Sequence, residues 1–245
     1  MQAALTSPFA KKLTSFVALS DLELTEIAAL HSRRRSFVAG RDLVHQGQEE
    51  QAAYILADGW VCSSKVLPDG SRQIVDFQIP GDFLGLRSVL LKSSDHSIEP
   101  ITDIQVSEIF ALDLAQSFTK MPRLGMAVLW AASRDGAMVV EHLVGLGRRD
   151  AVARMAHFLL ELASRLALVG MGSIKGYDCP LTQYLLADAL GLSAVHVNRV
   201  LRQLREEGLV TFRDGHVTIH NYKGLALRGD FDEAYLDHKG PLMLQ

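Results

Sequence analysis

Between Leu192 and Val210, Val197, Val200, Leu201 and Leu204 fall at i, i+3, i+4 and i+7. That spacing predicts an amphipathic helix with one buried stripe. Val195, His196, Asn198, Arg199 and Arg202 are left on its outward side. Just upstream, Leu185, Leu186, Ala189 and Leu190 predict a shorter helix. Gly191-Leu192-Ser193 forms the tight turn between them, with Thr182 and Ser193 placed to cap the two helices. The second helix is expected to stop at Gly208. "LVTFRDGHVTIH" then alternates on both sides of an Asp-Gly pair, which tolerates the positive φ of a hairpin turn. The pattern predicts helix, turn, helix and a small β wing.

The rest of the chain divides in the same way. Leu22, Leu24, Ile27 and Leu30 predict a short helix over residues 13–32. From about Arg35 to Ala111 short β-rich runs alternate with glycine turns, the clearest being "LPDGS" (Leu67–Ser71). Ile74, Val75, Phe77 and Ile79 follow that turn, and the spacing of the strands predicts an antiparallel barrel or jelly roll. From about Phe118 the pattern is helical. Leu124, Val128, Ala131 and Met138 make one stripe, and Gly125, Leu129, Ala132, Gly136, Val139 and Leu143 make another. A helix apolar on two sides needs two partners: its own β domain and a second copy of itself. "GLGRRD" (Gly145–Asp150) breaks it, a new helix runs from Ala151 to about Leu168, and "VGMGSIKGYDCP" reads as a glycine-rich loop. The expected fold is α+β. An N-terminal antiparallel β jelly roll spans residues 1–117, a long central dimerisation helix spans 118–146, and a C-terminal winged helix-turn-helix with its tail spans 147–245. Phe231, Tyr235 and Leu236 of that tail are expected to pack on the last domain.

Composition narrows the function. The 245 residues carry a net charge of −3, which alone does not suggest nucleic acid. Binding responds to the local patch, however, and Gly191–Arg205 holds Arg199, Arg202 and Arg205 with no Asp or Glu. Cys62 and Cys179 are the two cysteines and neither belongs to a CxxC pair. That argues against a zinc ribbon, a cysteine-ligated iron–sulfur cluster or a disulfide scaffold, and suits a reducing cytoplasm. The first residues do not read as a signal peptide, and "HFLLELASRLALVG" is interrupted by Glu161 and Arg165, so no membrane span is expected.

The outward side chains suit DNA. Arginine can give guanine O6 and N7 two hydrogen bonds, and asparagine can pair in the same way with adenine. Helix N-termini with hydroxyls such as Thr182 and Ser193, and cations such as Arg202, suit phosphates. At this point the chain resembles the Crp/Fnr superfamily of transcription regulators over nearly its whole length. Three segments carry the resemblance: "PGDFLG" (Pro80–Gly85), "GRRDAVARMAHFLLEL" (Gly147–Leu162) and "LTQYLLADALGLSAVHVNRVLRQLREEGLV". It implies a cyclic-nucleotide-binding-like β roll as sensor, a dimerising central helix and two recognition helices that read a palindromic operator in double-stranded DNA. RNA polymerase is the further partner it implies. Arg199 matches the family's base-reading arginine, and Asn198 sits where relatives carry a small or polar base-contacting residue. Val195 replaces the usual glutamate, which removes an acceptor. His196, next to it, is a candidate for a phosphate or a base edge.

The sensor chemistry departs from the family. Cyclic-nucleotide-binding relatives follow the glycine turn with a glutamate and then an Arg-Ser pair. Here Leu86 replaces the glutamate, and "SSDHSIEPITD" (Ser93–Asp103) holds no Arg or Lys. Cyclic-nucleotide binding is therefore not expected, and the effector is unidentified. Gly81, Phe83, Gly85, Leu86, Arg87 and Ser88 are the candidate pocket, with Arg87 able to move in as a cation. His45 and His96 are the candidate haem ligands, although no cofactor or metal is expected. Cys179 is a candidate redox switch if exposed and partly ionised.

Two other functional classes make different demands on the sequence. A non-DNA-binding regulatory module with a small-molecule-binding β roll predicts a phosphate arginine and no winged helix. A cupin-like metalloenzyme needs clustered ligands, for which "DHSIE" (Asp95–Glu99) is the only local group, and no GxSxG or P-loop motif is present. The chain therefore reads as a regulator rather than an enzyme.

Overall fold

The computed structural model describes residues 7–49 and 52–236. It opens with two helices, α1 (Pro8–Phe16) and α2 (Asp21–Leu30), where periodicity alone predicts one over residues 13–32. The break comes from capping. Ser20 Oγ accepts from Glu23 N at 3.3 Å and Glu23 Oε2 accepts from Ser20 N at 2.7 Å, a reciprocal box that starts a new helix. Phe9, Ala10 and Leu13 of α1 are fully buried.

Among the described residues seven strands form the β domain: β1 (Arg34–Phe37), β2 (Ala53–Asp58), β3 (Val61–Val66), β4 (Arg72–Gln78), β5 (Phe83–Leu84), β6 (Ser97–Pro100) and β7 (Ile104–Ile109). They pair antiparallel in two sheets, ordered β1-β7-β2-β5 and β4-β3-β6. Leu56, Val61, Ile98 and Val106 pack between them, as the alternating pattern requires.

Helix α3 (Ala111–Lys120) leads into α4 (Pro122–Arg148). The long helix starts at Pro122 and not at Phe118, which belongs to α3. The chain breaks at Met121, and Pro122 takes the first position of α4, where its missing N–H loses nothing. The helix also runs two residues past the predicted end at 146. Leu124, Ala127, Val128, Ala131 and Met138 are buried, whereas Met126, Leu129, Val139, Val140, Leu143 and Val144 stay 41–68% exposed. Among the described residues nothing covers these exposed side chains of the second apolar stripe.

Arg149 and Asp150 are extended and hinge α4 to α5 (Ala151–Val169). Next come β8 (Gly172–Ser173), β9 (Gly176–Asp178), α6 (Gln183–Leu190), α7 (Ala194–Glu206), β10 (Val210–Arg213), β11 (His216–Ile219) and α8 (Tyr222–Gly229). The expected glycine-rich loop is in fact the β8–β9 hairpin, and β9 pairs with β11 to extend the wing into a four-stranded sheet, order β10-β11-β9-β8. The wing turn is as predicted, with Asp214 and Gly215 at φ +52° and +73°.

The tail folds back across the hinge. Leu236 is fully buried and its carbonyl accepts from Arg134 Nε of α4 at 2.6 Å. Tyr235 stacks on His157 of α5 and donates to Glu161 Oε2 at 2.9 Å. The expected packing of Phe231, Tyr235 and Leu236 on the last domain is present, and it reaches α4 as well. The rest of the tail lies outside the described residues.

Candidate nucleic-acid interface

Helices α6 and α7 form the predicted helix-turn-helix. Thr182 Oγ1 accepts from Leu185 N at 3.3 Å, and Ser193 Oγ accepts from His196 N at 3.2 Å. These caps hold both hydroxyls at helix N-termini, each with its own hydrogen still available to a phosphate. Gly191 closes α6 in the left-handed region at φ +61°, and a Cβ there would come within 3.1 Å of Leu146. The turn therefore favours glycine for its conformation, with the Leu146 side chain packed close against it.

Val197, Val200 and Leu204 are buried, which fixes the rotation of α7. The opposite side carries Val195, Asn198, Arg199, Arg202 and Arg205, all exposed, while His196 is half-buried. With Gln183, Leu201, Phe212 and Arg213 the five exposed residues line one concave surface, and His196 lies outside it. Arg202 reaches Glu206 at 3.9 Å, and Arg213 reaches Asp214 at 3.4 Å. Arg199 and Arg205 have no carboxylate partner among the described residues. Asn198 Nδ2 donates to Gln183 Oε1 at 2.6 Å. A convex helix with unpaired guanidinium groups beside a β wing is the shape and charge that enter a major groove. The regulatory module without DNA required this unit to be absent. Gln183 was missed by the sequence reading, because its importance depends on a contact across 15 residues.

The other end of the DNA-binding unit is set by buried charges. Helix α5 is buried on nearly every side, yet it holds Glu161 and Arg165. Arg165 reaches Asp82 at 2.9 Å, Asp76 at 3.2 Å and Glu161 at 3.6 Å. Lys12 of α1 reaches Asp82 at 2.7 Å and Asp135 of α4 at 3.2 Å, and His142 of α4 reaches Glu161 at 3.0 Å. Buried ions require such partners. Burial alone would raise Asp82, but Lys12 and Arg165 outweigh it and hold the carboxyl well below its usual range. Burial likewise opposes ionisation of Glu161 and His142, but their mutual attraction dominates, taking Glu161 down to about 2 and His142 up to about 9. Asp76 is pushed up by burial to about 6 despite Arg165 and His142. The network ties α1, the β roll, α4 and α5 together. At the far edge, Arg72 of β4 reaches both Glu99 and Asp188 of α6, at 2.7 and 2.9 Å.

Between the β roll and α4 lies an open cavity of about 390 Å³. Phe83, Gly85, Leu86 and Arg87 line it as expected, with Lys65, Asp95 and His96 added. Gly81 does not. It lies behind the cavity against α1, where a Cβ would be 2.9 Å from the Pro8 backbone. The Ser88 side chain lies outside the described residues. Arg87 and Lys65 both lean towards Asp95, at 3.5 and 3.7 Å, as exposed ion pairs. His96 also pairs with Asp95, and His45 sits on the surface beside Asp42, so the two are not brought to one site. Among the described residues no group of three or more His, Cys, Asp or Glu side chains is arranged to hold a metal ion. Cys179 does not meet the condition for a redox switch. It is 1% exposed, and burial pushes its thiol up to about 12. No helix among the described residues is long and apolar enough to cross a membrane.

Comparison with known proteins fits this geometry. The model of a Crp-like helix-turn-helix domain matches residues 153–228, and that of a cyclic nucleotide-binding domain matches residues 34–120. The nitrogen fixation regulation protein FixK of Bradyrhizobium diazoefficiens is 30% identical over 202 residues, covering 82% of this chain and 84% of the relative. The fumarate and nitrate reduction regulatory protein of Vibrio cholerae is 23% identical, covering 84% and 82%. The structure of FixK2 from Bradyrhizobium japonicum superposes with a TM-score of 0.71 at 26% identity, over 79% of this chain and 95% of that one. With a two-sheet sensor roll, a long helix and a capped winged helix-turn-helix in that order, and with relatives that match it over most of both chains, the protein belongs to the Crp/Fnr family of DNA-binding transcription regulators, which are not enzymes.

Proposed function

We propose that the protein acts in the cytoplasm as a homodimer that reads a palindromic operator and controls transcription through RNA polymerase. The observation that carries this reading is the exposed face of α7, where Arg199 stands without a carboxylate partner between Asn198 and Arg202. The uncovered stripe on α4 supports pairing with a second copy, which would place two α7 helices about 34 Å apart on one side of the duplex. Arg199 reads guanine and Asn198 adenine, and exposed Val195 meets a thymine methyl where a glutamate would have met cytosine. Thr182, Ser193, His196 and Arg202 hold phosphates.

The roll is a poor host for a cyclic phosphate. An anion would share Lys65 and Arg87 with the carboxylate of Asp95, which repels it, and Leu86 offers no acceptor to a ribose. The cavity suits a neutral or zwitterionic effector. The experiment is selection of bound sequences from a random DNA pool by the purified protein, at two salt concentrations. A palindromic consensus supports the reading; sequence-blind, salt-sensitive binding places the unliganded protein in an operator-incompetent state; no binding overturns it.

A further inference from the structure

We propose that Gln183, the first residue of α6, is a positioning residue for base recognition: it orients the Asn198 amide so that α7 selects adenine. This rests on the reading of α7 as the recognition helix. Asn198 is exposed on a convex helix, where an asparagine side chain rotates and its amide can turn either edge outward. The two edges read different bases. An outward NH2 alone donates to guanine O6 or N7 as readily as to adenine N7, whereas one N–H together with Oδ1 matches adenine N7 and N6–H.

Gln183 biases that choice. Its Oε1 accepts one Asn198 Nδ2 hydrogen at 2.6 Å, so the NH2 is turned towards α6. The second hydrogen and Oδ1 remain, which is the donor–acceptor pair that adenine requires. The contact joins the two helices of the motif at their exposed rim, on the same concavity as Val195, Arg199 and Arg202. Thr182 fixes the start of α6, and buried Leu186 and Leu190 fix its rotation, so Gln183 is carried by a rigid support. A rotamer held before DNA arrives also loses less freedom on binding.

The test is selection from a random pool with wild type, Asn198→Ala, Gln183→Ala and Gln183→Glu, with thermal melting as a check on folding. Wild type is expected to prefer adenine at one position of each half-site, and Asn198→Ala to abolish that preference. Gln183→Ala is expected to reduce the adenine-over-guanine ratio there by roughly fivefold or more, the lower end of what a bidentate pair supplies. The base read by Arg199 stays the same. Gln183→Glu keeps an acceptor, so it lowers affinity for all sequences but retains the adenine ratio. If Gln183→Ala leaves the ratio unchanged, or the position lost in Asn198→Ala is not adenine, the positioning role is overturned and the operator reading stands. If wild type selects no palindrome, the operator reading fails, and this inference with it.

Discussion

Arg72 of the sensor sheet lays two nitrogens on Asp188 Oδ2 of α6, at 3.0 and 2.9 Å, while its third reaches Glu99. The neighbouring Gln73 donates to the Ala189 carbonyl at 3.1 Å. The sensor domain thus grips the first helix of the DNA-reading motif directly. Arg72→Ala is expected to lower stability by about 1 kcal/mol, since the pair is only partly buried. Amide exchange should rise in β4 and α6 together and stay the same in β1 and β7. Unchanged protection in α6 would mean that apolar packing alone holds the junction.

Arg199→Ala should weaken specific operator binding by about 1–3 kcal/mol and relax the preference at one base pair. Arg205→Ala should weaken all sequences alike and flatten the salt dependence. Competition binding against single-base operator variants separates the two. A uniform loss for Arg199→Ala would make it a phosphate contact.

Stability should fall as pH rises above neutrality. His142 is raised to about 9 in the folded protein, above its ordinary 6.5. Its contribution is therefore full below pH 6.5 and lost as pH rises through about 9. Glu161, lowered to about 2 from 4.5, contributes above 4.5 and loses its contribution as pH falls through about 2. Urea unfolding at intervals from pH 6.5 to 9 checks the His142 limb, which His142→Gln should flatten. An unchanged slope in the variant would assign the limb to another group.

Cys179 and Cys62 should both be silent towards a thiol reagent in the native protein at neutral pH. Each is at most 1% exposed and each thiol is pushed up to about 12 by burial. Titration before and after denaturation should give no fast reaction and then two equivalents. Rapid native labelling of one thiol would reopen a redox role.

Asp95→Asn should free Lys65 and Arg87 from their shared carboxylate and let the cavity take a small anion that wild type rejects. Calorimetry with a cyclic nucleotide on both proteins checks this. Equal binding to wild type would show that Asp95 yields its cations easily.

The apolar periodicity of α7, the Asp-Gly turns and the two stripes of α4 were legible because each depends on residues close in sequence. The capping box Ser20–Glu23 was equally local and could have split the first helix on paper, as Pro122 could have placed the start of α4. Other features had no local signal. Gly172–Asp178 looks like a loop because strands of two and three residues are too short to show alternation, and only pairing with β11 makes them a sheet. Glu161 and Arg165 look like solvated interruptions of an apolar helix, and only the distant Asp76, Asp82, Lys12 and His142 make their burial tolerable. Gln183 belongs to the same class.

The returning tail changes what the hinge can do. A domain joined only through residues 149–150 could swing in any direction. This one is also fastened where the Leu236 carbonyl meets Arg134, 14 residues back along α4 and so about 21 Å from the hinge. The buried Arg165–Asp82 and Arg165–Asp76 pairs hold α5 to the β roll as well, so the DNA-binding unit is anchored at several separated points and cannot swing about residues 149–150 alone. A change in the pitch of α7 relative to the β roll would require the Arg72–Asp188 contact at the edge and the charged contacts under α5 to rearrange together.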